Sequence, residues 1–414
     1  MLGDMLWSND GALSRITRDL TAEARAGRLE PVCCRDDEIH RVIDILLRQS
    51  KNNPALVGPT GTGKTAIAEG LAQHIAAGSV PFALRSARLL ALDHVSLLAG
   101  TMYRGQYEER MRALVAEASA DPDIILFVDE LHNLIGQGTA MGAAMDAANM
   151  LKPALVRGDF RVIGATTDDE YNRWICGDRA LERRFQKVTV SELSAEQTLE
   201  ILQARQERLE RHHNVAIAEE ALVAAVRLTD LFVTDRVRPD RAIDALDEAC
   251  AHRQATATYS SRTEALIAER RALLRASARE SEAREREPVR EAHQEPRAAA
   301  DDPLERIARE GFAVLERFGA ELEAAFTGQA RAGSAAAPAD QSPASPDARD
   351  SADASDSSDR VGASHAEPGP GAGRLALVDW ELRRRLVDEG LVVRGHDIAR
   401  VVGIATGQSI EWRA

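Results

Sequence analysis

The sequence predicts an α/β fold in which a parallel sheet is flanked by helices, followed by a helical small domain and a largely disordered acidic linker. Three observations lead to this prediction. Short runs that are apolar at every position alternate with helical periodicity over residues 1–193, which is typical of parallel strands buried on both faces. From residue 194 the periodicity is only helical, and residues 330–373 lose almost all their large apolar side chains.

The predicted strands of the large domain, residues 1–193, are its short apolar runs. They are Ala55–Val57, Leu89–Leu92, Ile124–Val128 and Val162–Ala165. Helical periodicity between the strands predicts one helix from Thr65 to Ala77, which Gly78 ends, and another from Tyr107 to Ala118. A glycine directly after the last helical residue is a common helix end, because it adopts the left-handed conformation without strain.

Residues 194–258 predict a small domain of three helices, which begin near Ala195, Glu219 and Pro239. Ser194 followed by Gln197 three residues later is the pattern of a capping box, in which each side chain satisfies a backbone N–H of the first turn. The sequence therefore gives the start of this domain more sharply than its end.

Residues 259–329 are rich in Arg, Glu and Ala, with Leu and Phe at helical intervals. This pattern predicts one or two long charged helices interrupted by Pro288 and Pro296. A solvated charged helix and a reduced coiled-coil insert both fit the pattern. Residues 330–373 are acidic and of low complexity, so we expect disorder there. Residues 374–414 predict a short helical tail.

The bulk composition excludes several classes of protein. The 414 residues carry 52 Lys and Arg against 66 Asp and Glu, a net charge of −14, which is unsuited to coating nucleic acid. No apolar run is long enough for a membrane span, and the N-terminus lacks the pattern of a secretory signal. The spacing of Cys33, Cys34, Cys176 and Cys250 indicates neither a disulfide framework nor a zinc site. We expect a cytoplasmic protein.

The sharpest motif is GPTGTGKT, which follows an apolar run and precedes a helix. It fits the phosphate-binding loop pattern G-x-x-x-x-G-K-[ST] in the required strand–loop–helix context. Backbone N–H groups of such a loop surround phosphate oxygens, the lysine reaches the β- and γ-phosphates, and the last hydroxyl holds Mg²⁺. The predicted ATP-binding residues of this loop are Gly58, Pro59, Thr60, Gly61, Thr62, Gly63, Lys64 and Thr65.

A second motif places two carboxylates, Asp129 and Glu130, at the end of the strand Ile124–Val128. Ligands of open α/β sheets bind at the carboxyl ends of strands, so this pair should face the phosphate-binding loop. Asp129 is the predicted second Mg²⁺ ligand, and Glu130 the predicted general base that orients the attacking water. Together with the loop, the pair predicts a hydrolase.

Two further positions fit an ATPase. Thr167 follows another apolar run and has a hydroxyl that can sense the γ-phosphate. Arg183 and Arg184 are adjacent cations that a ring-forming ATPase uses on a neighbouring subunit's nucleotide. Without the other motifs, a surface salt-bridge pair would explain the two arginines equally well.

Residues 12–257 resemble the first ATPase module of the Clp/ClpB disaggregases, which belong to the AAA+ class of P-loop NTPases. The matching motifs are, in order, KNNPALVGPTGTGKTAIAEGLAQHI, YRGQYEER, ILFVDELH, AAMDAANMLKPAL, GATTDDEY, ALERRFQKV and RPDRAIDALDEA.

The resemblance implies a homo-hexameric ring with ATP bound between neighbours. It assigns Lys64 and Thr65 to Walker A, Asp129 and Glu130 to Walker B, Thr167 to the first sensor, and Arg183 and Arg184 to the trans-acting arginines. It also implies that Val32 lies near the adenine, and that Pro239 and Arg241 belong to the segment that closes over the nucleotide.

The resemblance also gives a role to the stretch GTMYRGQYEERM. In the family, this loop lines the central channel, so Tyr103 and its neighbour Arg104 are expected to contact a threaded polypeptide. An aromatic ring makes sequence-tolerant apolar contacts, and flanking glycines allow the loop to move. Without the resemblance, packing of Tyr103 on a nearby helix would be the preferred interpretation. Residues 136–142 resemble the second pore loop.

Three departures from the family pattern stand out. Met102 replaces the usual basic residue before the tyrosine, and Cys33-Cys34 replaces a small apolar-glycine step near the adenine. A buried cysteine behaves as a small hydrophobe, although an adjacent pair also permits redox sensitivity. The segment after residue 394 resembles the lead-in to a second ATPase module, and no second phosphate-binding loop occurs in this sequence. Both a natural single-ring relative and a truncated derivative fit.

The leading prediction is an ATP-hydrolysing chaperone or unfoldase that remodels or threads protein substrates, with an adaptor as an open additional partner. The alternative is a nucleotide-dependent scaffold with weak hydrolysis that modulates full-length rings. A small-molecule kinase is disfavoured, because adjacent arginines, a helical small domain and a pore-loop pattern have no use in such an enzyme.

Overall fold

The computed structural model describes residues 12–93, 96–97, 104–135, 153–158, 160–294 and 370–413. By their contacts, Met1–Leu273 and Arg374–Ala414 form one compact unit and Leu274–Gly373 a second. The candidate site lies in the first unit.

A six-stranded sheet forms the centre of the large domain, in the order β1-β3-β4-β5-β2-β6. β1 runs antiparallel to β3, and the other neighbours are parallel. The six strands are β1 Thr17–Asp19, β2 Asn53–Val57, β3 Arg88–Leu92, β4 Ile124–Val128, β5 Arg161–Thr166 and β6 Phe185–Thr189. The α/β fold and all four predicted strands are confirmed, whereas β1 and β6 were not predicted.

Helices flank the sheet and build the small domain, which we call the lid. The helices of the large domain are α1 Ala12–Ile16, α2 Leu20–Arg25, α3 Asp36–Leu46, α4 Lys64–Ala76, α5 Arg104–Ala120, α6 Leu131–Ile135, α7 Asp168–Glu170 and α8 Arg179–Glu182. The later helices are α9 Ala195–His213, α10 Glu219–Phe232, α11 Asp240–Ala255, α12 Ser261–Gln294, α13 Pro370–Asp388 and α14 Gly395–Thr406. A 3₁₀ turn, Phe82–Leu84, and a π-helical turn, Tyr171–Cys176, complete the large domain, and residues 153–157 are also helical.

The sheet separates two apolar cores, and β4 contributes to both. Leu126 and Val128 pack into the core on one face, whereas Ile125 and Phe127 pack into the core on the other. Successive side chains of a strand point to opposite faces, so a strand covered by helices on both sides must be apolar throughout. All five residues of β4 are buried, which explains why its run has no polar alternation.

The carboxyl ends of β2, β4 and β5 lie side by side and position the site. Val57 of β2 pairs with Thr166 of β5, and Val128 of β4 pairs with Gly164 of β5. The loop after β2, the turn after β4 and the turn after β5 therefore leave the sheet at the same edge. This arrangement follows from parallel pairing, which brings equivalent strand ends together.

The lid consists of α9, α10 and α11, closed by a segment from the far end of the chain. A short strand β7, Ala216–Ile217, pairs in parallel with β8, Val392–Val393. The core of the lid combines residues from both segments: Leu202, Leu222, Leu246, Val393, Ile398 and Val402. At the start of α9 the predicted capping box is present, with Gln197 N–H donating to Ser194 Oγ over 3.1 Å and Ser194 N–H donating to Gln197 Oε1 over 3.0 Å.

The predicted interruption at Pro288 is wrong, because α12 runs continuously from Ser261 to Gln294. A proline removes one backbone hydrogen bond, but the strong helix formers around it keep the flanking turns helical. Pro296 lies outside the described residues, as does the predicted acidic linker, residues 330–373, as far as residue 369.

Membrane-spanning helices and disulfides are both absent from the described part of the chain. All four cysteines lie in that part, and none of them is paired.

Candidate functional site

The phosphate-binding loop joins β2 to α4 in the conformation that its glycines permit. Gly63, the residue before α4, has a φ of 86°, in the left-handed region. Gly58 lies so close to the residue after β6 that an added Cβ would be 2.1 Å from the carbonyl oxygen of Val190. Glycine is therefore required at Gly58 for space and is favoured at Gly63 for backbone conformation.

Lys64 occupies the first turn of α4 and is buried. Its Nζ donates to the carbonyl oxygens of Gly58 and Pro59, at 2.9 and 3.0 Å. Burial lowers the pKa of this ammonium, while the nearby carboxylates of Asp129 and Glu130 oppose that change. An anionic phosphate would be a stronger acceptor than either carbonyl, so the lysine stands where it can exchange loop contacts for a ligand.

Thr65 and Asp129 are in contact at the edge of the sheet where β2 and β4 end. The Thr65 hydroxyl donates to Asp129 Oδ2 over 2.9 Å, which joins the start of α4 to the end of β4. The other Asp129 oxygen, Oδ1, accepts from the Glu130 N–H at 2.9 Å. The structure thus brings together the two residues that were predicted from separate motifs to hold Mg²⁺.

Glu130 follows Asp129 in a left-handed conformation, with a φ of 49°. A residue other than glycine rarely adopts this conformation, and it turns the chain sharply between β4 and α6. The Glu130 side chain lines the same cleft as Lys64 and Thr65. It also approaches His132 and Glu170, two residues that sequence analysis did not single out.

Thr167 lies at the end of β5, where its side chain caps α7. Its hydroxyl donates to Glu170 Oε2 over 2.8 Å. Its backbone N–H donates to the same oxygen over 3.3 Å, as in a capping box. The preceding Thr166 is buried and donates to the same carboxylate oxygen over 3.1 Å. Both threonines are therefore tied to Glu170, and the sensor role of Thr167 stays a prediction.

The other end of the cleft, which we call the base end, is largely apolar. The cleft has a volume of about 460 Å³ and runs from the phosphate-binding loop to the lid. Apolar side chains at the base end come from both domains: Val32, Leu193, Ile201, Pro239 and Ile243. The structure thus brings Val32 and Pro239 to the same cleft, whose apolar lining can bury a flat ring.

Cys33 lines the cleft, and Cys34 faces the lid. The Cys34 thiol lies 3.3 Å from Glu200 Oε2, to which it donates. Burial, and to a smaller extent this hydrogen bond, raise the pKa of Cys34 to about 11. Burial also raises the pKa of Cys33. The raised pKa values favour the protonated thiol at both positions over the reactive thiolate.

Arg241 is directed away from the cleft. Its Nη2 contacts Asp230 at 2.5 Å and Glu192 at 3.2 Å, which ties α11 to α10 and to the exit of β6. The structure does not bring it among the cleft-lining residues, although its neighbour Pro239 is there. Its contacts are those of a residue that fixes the lid.

Two arginines that fix the cleft walls were missed by sequence analysis. Buried Arg35 donates to the carbonyl oxygens of Thr62 and Ser191, at 2.6 and 2.9 Å. Arg205 of the lid pairs with Glu30 of the large domain at 2.7 Å. These partners are distant in sequence, although Arg35 also contacts Glu38, three residues later, at 2.5 Å.

Arg183 and Arg184 lie outside the residues that line this cleft. Arg184 turns toward its own domain, where Nη2 donates to the carbonyl oxygen of Arg157 over 3.2 Å. Its guanidinium also passes over Gly158, where an added Cβ would be 2.8 Å from Arg184 Nη1. Arg183 is exposed. The two adjacent arginines therefore differ in their contacts.

Some predicted residues cannot be placed. Tyr103 and residues 136–142, the two predicted pore loops, lie outside the described residues. Arg104 begins α5, but its side chain is not among those described.

The family models cover the same two domains as this geometry. The model described as the ATPase family associated with various cellular activities (AAA) matches residues 54–193. The AAA lid domain model matches residues 194–299. Residues 54–299 therefore resemble an AAA ATPase domain followed by its lid. The phosphate-binding loop, the strand-end carboxylates and the lid of this chain fit that likeness, and the AAA family implies that the cleft binds a nucleotide.

Curated relatives of this AAA module are ClpB chaperones. The chain is 53% identical over 244 residues to Chaperone protein ClpB of Mesorhizobium japonicum, which covers 59% of this chain and 28% of that protein. It is 55% identical over 241 residues to Chaperone protein ClpB 1 of Thermosynechococcus vestitus, covering 58% of this chain and 28% of that protein. The match thus spans under a third of the length of these relatives.

Solved structures give the same result. The Saccharomyces cerevisiae Hsp104:casein complex in its extended conformation matches with a TM-score of 0.54 and 45% identity, over 59% of this chain and 42% of that one. A closed state of Hsp104 with ATPγS and FITC casein matches with a TM-score of 0.55 and 45% identity, over 59% and 43% of the two chains. The predicted resemblance to the Clp/ClpB type is confirmed.

Proposed function

We propose that this chain is an ATP-hydrolysing AAA module that remodels or threads protein substrates in a ring. The observation that carries the proposal is the contact between Thr65 and Asp129, 2.9 Å apart, beside Lys64 and Glu130 in one cleft. A binder needs only the phosphate contacts. Hydrolysis needs, in addition, a carboxylate next to the phosphate end that can polarise water.

The cleft fits ATP and Mg²⁺. Its apolar base end suits a purine. Its phosphate end offers Lys64 and the N-terminus of α4 to the phosphates. Thr65 and Asp129 offer a hydroxyl and a carboxylate, the hard oxygen donors that Mg²⁺ prefers. These two residues would hold the ion, which would neutralise charge on the phosphates.

A homo-hexamer that acts on protein substrates is the corresponding assembly. Arg183 is exposed and does not line its own cleft, so it is available to a neighbour's nucleotide. Hsp104 matches this chain in a complex with casein, and Tyr103 with Arg104 are our proposed contacts to such a polypeptide. We propose no nucleic-acid or membrane partner and a cytoplasmic location, and we leave the adaptor open.

We also propose the division of labour along the chain. Residues 1–193 form the ATPase domain and residues 194–258 the lid, while 259–329 and 330–373 are the charged helical insert and the linker. Residues 374–414 serve as the closing part of the lid, because Val393 and Ile398 are buried in its core. Both Thr167 as a sensor and Pro239 as a nucleotide contact remain part of this proposal.

The experiment that tests the function compares the purified chain with its Glu130→Gln variant. We expect the variant to bind a fluorescent ATP analogue normally and to lose turnover by roughly 10²- to 10⁴-fold, the usual contribution of a general base. Glu248→Gln, on the exposed side of α11, is the matched control and should keep full turnover. Nucleotide binding without turnover in the unaltered chain would favour the scaffold alternative instead.

A further inference from the structure

The imidazole of His132 lies between two carboxylates. Nε2 is 3.4 Å from Glu130 Oε2, and Nδ1 is 2.9 Å from Glu170 Oε2. The His132 side chain is only 11% exposed, whereas the side chains of Glu130 and Glu170 are 47% and 30% exposed. A ring with one nitrogen on each carboxylate links the turn after β4 to the turn after β5.

Glu170 is the fixed side of this arrangement. Its Oε2 accepts from the hydroxyls of Thr166 and Thr167, at 3.1 and 2.8 Å, and from the Thr167 N–H at 3.3 Å. Burial alone would raise the pKa of Glu170, but the hydrogen bonds from Thr167 and the nearby His132 outweigh it and lower that pKa. An ionised, hydrogen-bonded Glu170 therefore anchors the ring of His132 at the end of β5.

Glu130 is the free side. Its backbone is fixed, because its N–H donates to Asp129 Oδ1 over 2.9 Å and its carbonyl oxygen accepts from the Asn133 N–H at 2.8 Å. Its side chain, in contrast, is 47% exposed. Its carboxylate contacts the His132 ring, and the ammonium of Lys64 is another nearby charge. The ring thus lies where it can set the direction of the carboxylate.

We propose that His132 is a positioning residue that sets the orientation of the Glu130 carboxylate from the end of β5, through Glu170. The inference rests on the proposed function, since it assigns Glu130 to the attacking water. The same Glu170 oxygen binds Thr166 and Thr167 at the predicted sensor position. A shift of that strand end on nucleotide binding would therefore move Glu170, then His132, and then the general base.

The test uses three substitutions that keep different parts of the imidazole. Gln places an amide nitrogen near Nε2, Asn places one near Nδ1, and Ala keeps neither. We expect His132→Ala to lower kcat by about 10-fold or more, because small displacements of a catalytic group are costly, with nucleotide affinity changed less than about twofold. His132→Gln should recover more of kcat than His132→Asn, since it retains the contact with Glu130.

Coupling and fold are measured alongside. In a Glu130→Gln background, His132→Ala should cause no further loss in single-turnover hydrolysis, since the group it positions is gone. His40→Ala, at an exposed position of α3, is the matched control. A further loss in the double variant, or equal recovery by Gln and Asn, would overturn the proposal. If thermal melting shows that the Ala variant does not fold, the Gln and Asn pair decides.

A measurement without turnover separates this inference from the proposed function. In protein with ¹⁵N-labelled histidine, the His132 signal is identified by its loss in His132→Gln. Glu130→Gln should shift its Nε2 resonance, and Glu170→Gln should shift its Nδ1 resonance. If neither resonance moves, His132 does not link the two carboxylates, whether or not the chain hydrolyses ATP. If both move in a chain without ATPase activity, the link stands and only the proposed function fails.

Discussion

The phosphate end and the base end of the cleft draw their residues from different parts of the chain. Lys64 and Thr65 come from one loop, and Asp129 and Glu130 follow a neighbouring strand directly. The base end instead combines residues near 32, 201 and 243, which come from both domains. The phosphate end must present charged groups at fixed positions, whereas the base end needs only to bury a flat apolar ring. The first demand restricts the sequence far more than the second.

The largest effect is expected at Arg183, because we propose that this residue completes the phosphate end of a neighbouring subunit's cleft. We expect Arg183→Ala to lower kcat by roughly 10³-fold, the contribution of an arginine supplied in trans. Arg184→Ala should mainly remove a hydrogen bond within its own domain and cost about 1 kcal/mol of unfolding free energy. Steady-state hydrolysis and chemical denaturation measure the two effects, with Arg41→Ala on α3 as the control. A similar kcat loss in both variants, at unchanged stability, would contradict the division between the two arginines.

An intermediate effect is expected inside the phosphate end. Thr65→Val removes the hydroxyl that contacts Asp129 at 2.9 Å while keeping the side-chain shape. We expect the Mg²⁺ concentration for half-maximal hydrolysis to rise by roughly 10- to 100-fold, as for a lost hydrogen bond to a charged group. The measurement is a Mg²⁺ titration at saturating ATP, with Thr65→Ser as the variant that should restore the normal midpoint. An unchanged midpoint in Thr65→Val would remove this threonine from the proposed ion site.

The smallest effect is expected at the base end. Cys33→Val replaces a thiol by an apolar group of similar size, so we expect less than about a threefold change in the Kd for nucleotide. Cys33→Asp introduces a charge at the same position and should weaken binding much more, since burying an unpaired charge is costly. Both values come from fluorescent nucleotide titrations. If Cys33→Val disrupts binding as strongly as Cys33→Asp, the thiol has a specific role at the base end.

The same contrast explains what could be predicted from the sequence. The strand–loop–helix context of Lys64 is continuous in the chain, so its fold and its chemistry were both predictable. The strand-end pair, Asp129 and Glu130, was placed correctly because parallel strands bring their carboxyl ends together. The apolar runs of β2, β4 and β5 likewise identify strands that are buried on both faces.

Residues that act through distant partners were not predictable in the same way. Arg35 contacts the carbonyl oxygen of Ser191, and Arg205 pairs with Glu30. Nothing local distinguishes these arginines from surface cations, because Ser191 and Glu30 become their neighbours only after folding. The local pair of Arg35 with Glu38 is one that a surface helix would also form. Arg241 is the opposite case. Its sequence motif predicted a position in the cleft, but its contacts are with Asp230 and Glu192 at the base of the lid.

The strands that were missed have a similar explanation. All three residues of β1 are polar or charged, and β6 includes Gln186 and Lys187. Both lie at the two edges of the sheet, where side chains need not be apolar on both faces. A prediction based on continuous apolar runs finds central strands and overlooks edge strands.

In the ring that we propose, Glu130 of one subunit and Arg183 of its neighbour complete one hydrolytic site. This arrangement is tested most directly by mixing the Glu130→Gln chain with the Arg183→Ala chain, each inactive alone. At equal amounts, about a quarter of the boundaries in a mixed ring would pair an intact Glu130 with an intact Arg183. We predict that mixing restores ATP turnover toward that fraction of the unaltered rate. Turnover that stays at the level of the separate variants would contradict the account.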